Sequence, residues 1–173
     1  MPIDAVQPLR IAQVTSQPGT REHGWLPIGE DWRRRDEAVP WVLLHGSRPG
    51  PVVYVQAVSD GDELNGLAVA RRLIAEIDPQ RLSGAVLVVP VANPGAFAAR
   101  QGSDPRDGRK LNRCFPGNAE GSVTERLAHA LFAHLVLRSD LVIDLHQNGS
   151  IPMIPEVRVR TGRRGSTARS CGI

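Results

Sequence analysis

Apolar residues along this chain gather in short unbroken runs separated by polar punctuation. "WVLLHG" (41–46) and "PVVYVQAV" (51–58) predict two strands with an "SRPG" turn between them. The second run is nearly continuous and β-branched, which predicts a strand covered on both faces. Leu64, Leu67, Ala70, Ile74 and Ile77 then recur at helical spacing through "DELNGLAVARRLIAEI", and Asp78-Pro79 ends that helix. "GAVLVVPVAN" (84–93) predicts another buried strand. Ser122 and Glu125 form a capping box ahead of the helical pattern "RLAHALFAHLVL". "SDLVIDLH" (139–146) predicts a strand closing on a histidine, and "NGSIPMIPEVRVR" a turn and one more strand. Before all of these, "LRIAQV" and "WLPI" predict short edge strands.

The stretch 94–120 breaks the pattern. It is rich in Gly, Pro, Asp and Arg, shows little periodicity, and reads as a long loop that is either functional or disordered. The order strand, helix, strand, loop, helix, strand predicts an α/β fold with a mixed, largely parallel sheet flanked by helices. In such sheets, sites collect beyond the carboxyl ends of the strands. Both "SDGDE" after Val58 and "DLH" at 144–146 fall at such ends. The expected organisation is a polar N-terminal segment with edge strands (1–40), an α/β domain (41–160) and a patternless tail (161–173).

Bulk properties narrow the function classes. A chain of 173 residues with 41% hydrophobic content suits one domain with a real core, and at 4% aromatics that core is built from aliphatic side chains. The net charge of +3 comes largely from "WRRR" (32–35) and from arginines after Val157, neither interleaved with aromatics nor laid along a helix face, which argues against a nucleic-acid surface. Cys114 and Cys171 lack any paired spacing, and no apolar run approaches the roughly 20 residues of a membrane span. A soluble cytoplasmic protein is expected. No glycine-rich phosphate loop follows any strand, and the acids of "GDELNG" would repel phosphate.

Those acids are the chemical signal. Asp60, Asp62 and Glu63 crowd a strand-to-helix turn, where they either cap the helix or hold a cation. Asp60 and Glu63, three apart, can be aimed inward together. His146 at a later strand end then supplies a third ligand and leaves a fourth position for water, the arrangement of catalytic zinc sites. Asp144, two residues earlier on the same strand, shares the face of His146 and can orient it or steer a proton; otherwise it satisfies backbone amides.

Taken in order, "GDELNG", "VPVANPGAFAAR", "DGRKLNRCFPG", "SVTERLAHAL" and "VIDLHQNG" resemble the succinylglutamate desuccinylase/aspartoacylase family of the zinc carboxypeptidase clan, over about Pro51 to Arg160. The resemblance implies a zinc-carboxypeptidase-like fold. It also implies a zinc-dependent hydrolase that cleaves an N-acyl amide of a small carboxylate-bearing substrate, such as an N-acylated amino acid. The family holds zinc with a His-x-x-Glu pair and a later histidine. Glu63 and His146 match, whereas Asp60 stands where the first histidine is expected. A carboxylate there still binds zinc but favours harder cations such as manganese. Asn112 and Arg113 match the pair that binds the substrate carboxylate, a task suited to a guanidinium fork. Lys110 replaces the common Asp before "LNR". Arg100 and Arg106 are both candidates for the arginine that supports the oxyanion.

The family's domain continues with further strands and a glutamate general base. Here the only acid after His146 is Glu156, and "TGRRGSTARSCGI" carries no element pattern. The expectation is therefore a sheet incomplete at its C-terminal side. The alternative to a working deacylase is a truncated, inactive metal-binding remnant.

Overall fold

The computed structural model describes residues 7–28 and 38–147. Glu156, the strand expected after residue 148 and the tail at 161–173 lie outside them. Two short strands, β1 (Leu9–Ile11) and β2 (Val14–Ser16), form a small antiparallel ribbon. The main sheet has five strands: β3 (Arg21–Pro27), β4 (Ala38–His45), β5 (Arg48–Ala57), β6 (Ser83–Val89) and β7 (Leu141–Leu145). Their order is β3-β4-β6-β5-β7. β3, β4 and β6 pair antiparallel, while β5 pairs parallel with both β6 and β7.

The two runs read as strands around "SRPG" are therefore not neighbours. β6 lies between them, and Arg48 to Gly50 are already part of β5, with a register irregularity against β6 between Arg48 and Val52. The β-branched run of β5 is covered on both faces, with Val52 and Tyr54 in the cluster that includes Leu127 and Leu131 and Ala57 in the cluster that includes Ala70, as its near-continuous apolarity predicted.

Helix α1 (Asn65–Glu76) returns the chain from β5 to β6, and α3 (Val123–His134) returns it from the 94–120 stretch to β7. Alternate residues of β6 separate the two faces they cover. Leu87 and Val89 join Trp41, Leu43, Tyr54, Leu127 and Leu131 in the larger cluster under α3. Val88 and Val86 join Ala57, Val58, Ala70 and Leu67 under α1. β7 has one neighbour among the described residues and leaves Leu141, Val142 and Ile143 exposed.

The 94–120 stretch is more ordered than its composition suggests. Asn93 accepts a hydrogen bond from the Ala96 amide and Pro94 takes the first helical position, starting a short α2 (Pro94–Ala99). A 3-10 turn follows at Leu111–Arg113, anchored by the buried Leu111. Between them, buried Asp104 accepts from the backbone and side chain of Arg106. Asp107 accepts from the amide and hydroxyl of Thr124, tying the loop to the start of α3. The expected Ser122–Glu125 cap is present, Glu125 accepting from the Ser122 amide at 2.8 Å.

Candidate metal centre

The site forms where β5 and β7 end side by side. Their parallel register sets Gln56 opposite Asp144 and Ala57 opposite Leu145, so the residues just beyond each strand emerge at one rim. The chain leaves β5 through Val58, buried at φ 56°, a conformation rare for a β-branched residue. Backbone bonds from Ala92 to Ala57 and from Asn93 to Val58 hold this exit in place. The turn then passes so close to α2 that a β-carbon on Gly61 would fall 2.0 Å from the backbone of Ala96. The Gly61 amide donates to Gln101 and the Glu63 amide to Asp60, which closes the turn.

This geometry brings Asp60, Glu63 and His146 together, each offering one ligand atom within 4.8 Å of the others. Nδ1 of His146 lies 2.9 Å from Glu63 Oε2 and 4.0 Å from Asp60 Oδ2. Its Nε2 is 3.0 Å from Asp144 Oδ2. Asp144 is therefore the residue that orients the imidazole. Its hydrogen bond, against the opposing effect of burial and with help from Glu63, raises the His146 pKa to about 9. With Nε2 turned to Asp144, Nδ1 is the ring nitrogen that faces the carboxylates of Glu63 and Asp60.

A chain of hydrogen bonds supports Asp144 from behind. The Tyr54 hydroxyl donates to Gln56 (2.8 Å), the Gln56 amide to Ser59 (2.9 Å), and the Ser59 hydroxyl to the second oxygen of Asp144 (3.0 Å). Tyr54, Gln56 and Ser59 are all buried, and burial followed by the charge of Asp144 keeps the phenol protonated. Sequence reasoning missed these three. The polar Gln56 inside an apolar strand was the signal that could have found them.

Helix capping is not what the acids do. Residue Leu64 precedes α1 without any side-chain cap, and the first helical amide, that of Asn65, donates instead to the side chain of Gln147 at 2.7 Å. The Gln147 amide in turn donates to Glu63. Asp62, expected to cap or orient, is exposed. Asp60 is buried, and its Oδ1 has no hydrogen-bond partner among the described residues. Such an orphaned carboxylate oxygen is costly unless a cation meets it. Its Oδ2 lies 3.2 Å from the ammonium of Lys110.

The remaining candidates lie along the loop. Asn112 and Arg113 are exposed on the 3-10 turn that follows Lys110, and neither side chain has a partner among the described residues. Through Lys110 this turn adjoins the Asp60 rim. Arg106 is held by Asp104 in a two-pronged ion pair, and the same contact draws the Asp104 carboxyl below its usual range despite burial. Arg100 ends α2 in a left-handed conformation, exposed. Among the described residues the ion pair of Arg106 is with Asp104, and no ion pair joins Arg100 to the carboxylate–histidine cluster.

Residues 49–167 match the model of the succinylglutamate desuccinylase/aspartoacylase catalytic domain. The chain is 34% identical over 137 residues to the N-alpha-acetyl-L-2,4-diaminobutyric acid deacetylase of Halomonas elongata, covering 78% of this chain and 40% of that protein. Its fold is similar to that of an aspartoacylase family protein from Mesorhizobium loti (TM-score 0.67, 32% identity, 80% of this chain and 43% of that one). It is also similar to the product-bound ectoine utilization protein EutE (DoeB) from Ruegeria pomeroyi (TM-score 0.66, 28% identity, 81% and 43%). The chain thus spans less than half the length of these relatives. Among the described residues no helix is long and apolar enough to cross a membrane. With more than half of its residues matched, the chain belongs to the succinylglutamate desuccinylase/aspartoacylase family.

Proposed function

We propose that this chain contributes the metal-binding and carboxylate-binding side of a deacylase that hydrolyses the N-acyl amide of a small carboxylate-bearing substrate, such as an N-acylated amino acid. The observation that carries the reading is the convergence of Asp60, Glu63 and His146 within 4.8 Å, with the buried Asp60 Oδ1 left without a partner. Two carboxylate oxygens and one imidazole nitrogen are a donor set that zinc accepts, and the second carboxylate also suits manganese. A bound zinc ion would supply an acidified water and polarise the acyl carbonyl.

The chain's own groups hold the ligands and the substrate in place. Asp144, braced by Ser59, keeps His146 turned so that Nδ1 faces Glu63 and Asp60. Glu63 accepts from the Gln147 amide, which couples the turn after β5 to the end of β7. On the adjoining 3-10 turn, Arg113 grips the substrate carboxylate through its planar fork and Asn112 adds a directed donor. The name of the Halomonas elongata relative, an N-acetyl amino-acid deacetylase, supports an amide of this kind as substrate.

A second reading, metal binding without turnover, is favoured by one observation. Both oxygens of Asp144 are engaged, by Ser59 and His146, and Glu63 already accepts from His146 and Gln147, which leaves these two acids poorly placed as a general base. One experiment separates the readings. The protein is purified with zinc, its metal content is measured, and amine release from N-acetylated amino acids is followed for wild type, Glu63→Ala and Arg113→Ala. The hydrolase reading expects roughly one zinc per chain, lost in Glu63→Ala, and turnover whose KM rises in Arg113→Ala. Zinc without turnover establishes the second reading, and absence of zinc overturns both.

A further inference from the structure

Lys110 holds a position that a simple carboxylate–histidine metal site does not call for. Its ammonium lies 3.2 Å from Asp60 Oδ2, with the lysine side chain 40% exposed and the aspartate 7% exposed. The backbone that carries it is fixed on both sides. Before it the Arg109 carbonyl accepts from the Asp104 amide, and after it Leu111 is buried in the core and the Lys110 carbonyl accepts from the Arg113 amide. The side chain runs over Gly102, where a β-carbon would come 3.0 Å from Nζ and 3.4 Å from Cε. A side chain at 102 would crowd the end of the lysine on its way to Asp60.

We propose that Lys110 is a tethered counter-cation of this site, one that competes with a divalent ion for Asp60 and thereby sets how tightly the site takes a metal. The inference rests on the reading of Asp60, Glu63 and His146 as metal ligands. An ammonium offers three donors and no lone pair, so it neutralises Asp60 without being able to ligate an ion. An ion bound through Asp60 would share one carboxylate with the Lys110 ammonium, and at partly buried sites like charges so close repel strongly. Because the lysine is partly exposed, it can swing into solvent and relieve much of that repulsion, which scales the expected effect down to roughly tenfold in affinity. The orphaned Oδ1 of Asp60 remains the atom that an ion would claim first.

The competition is measured by titrating the full chain with zinc against a chromophoric chelator. Wild type, Lys110→Met, Lys110→Gln and Glu63→Ala are compared, with circular dichroism verifying each fold. Lys110→Met keeps the alkyl stem over Gly102 and removes only the charge. The expected result is zinc affinity raised roughly tenfold in both lysine variants, with binding abolished in Glu63→Ala. Equal or weaker affinity in both lysine variants, while Glu63→Ala still abolishes binding, overturns the inference and leaves the metal-site reading standing. Failure of wild type and both lysine variants to bind zinc overturns the two together.

Discussion

Replacing Gly61 by alanine tests whether the turn that carries Asp60 and Glu63 is braced by α2. The added β-carbon would lie 2.0 Å from the carbonyl carbon and oxygen of Ala96 and 2.4 Å from the Phe97 nitrogen. Ordinary van der Waals contact begins near 3.4 Å, so the turn or the helix must move by more than an ångström. All three obstacles are backbone atoms, and none can rotate aside. Overpacking of cores typically costs about 1–3 kcal/mol, and a clash with fixed backbone belongs at the upper end, about 3 kcal/mol. With a urea m-value of about 2 kcal/mol per molar for a domain of this size, the unfolding midpoint should fall by about 1.5 M. The displacement should also spread the 4.8 Å ligand cluster and weaken zinc binding in a chelator competition. A Gly61→Ala protein with its urea midpoint within about 0.3 M of wild type would refute the claim that this close approach positions the site.

Ser59→Ala removes the hydroxyl that joins Gln56 to Asp144 and strands a buried amide; it should cost about 1–3 kcal/mol in denaturant unfolding and weaken zinc binding on the order of tenfold through a looser His146. Leu131→Ala in the cluster under α3 should cost about 2–5 kcal/mol, read by the same unfolding curve, without altering the ligand cluster. Asp107 has its carboxyl pKa lowered: burial pushes it up, but hydrogen bonds from Thr124 and Arg109 outweigh that effect. Its contribution is present above the unfolded value of 3.8 and is lost as pH falls through the lower folded value. Asp107→Ala should therefore lower stability by about 1 kcal/mol at pH 7, and the gap from wild type should close in unfolding curves taken in strong acid.

Much of the site was legible in the sequence because strand ends are local signals. The apolar run up to Val58 and the "VIDLH" run each mark where a parallel strand stops, and a chain that alternates strands and helices delivers both stops to one rim. Strand order was not legible, since periodicity reports which residues are covered and not by which neighbour; β6 between β4 and β5 is a long-range choice. Capping was left open beside cation binding for a similar reason. Asp60 and Asp62 have the right chemistry at the right spacing, yet Gln147, more than 80 residues away in sequence, reaches the first amide of α1 instead. Asp60 and Lys110 were each noticed as departures from the family pattern, but only the fold shows that they touch.

The position of β7, outermost in the sheet among the described residues, links the site to the mechanics of the sheet. Asp144 and His146 ride on or just beyond a strand that, among the described residues, is paired along one side only, with Leu141, Val142 and Ile143 exposed. Strands bound by a single ladder open more readily than the centre of a sheet. An ion gripped by Glu63 on one element and His146 on the other would act as a rivet across that seam, so docking of the strand and occupancy of the site form one linked equilibrium. Amide exchange at residues 141–145 should slow when zinc is supplied, and whatever presses this strand home should tighten the hold on the ion in return.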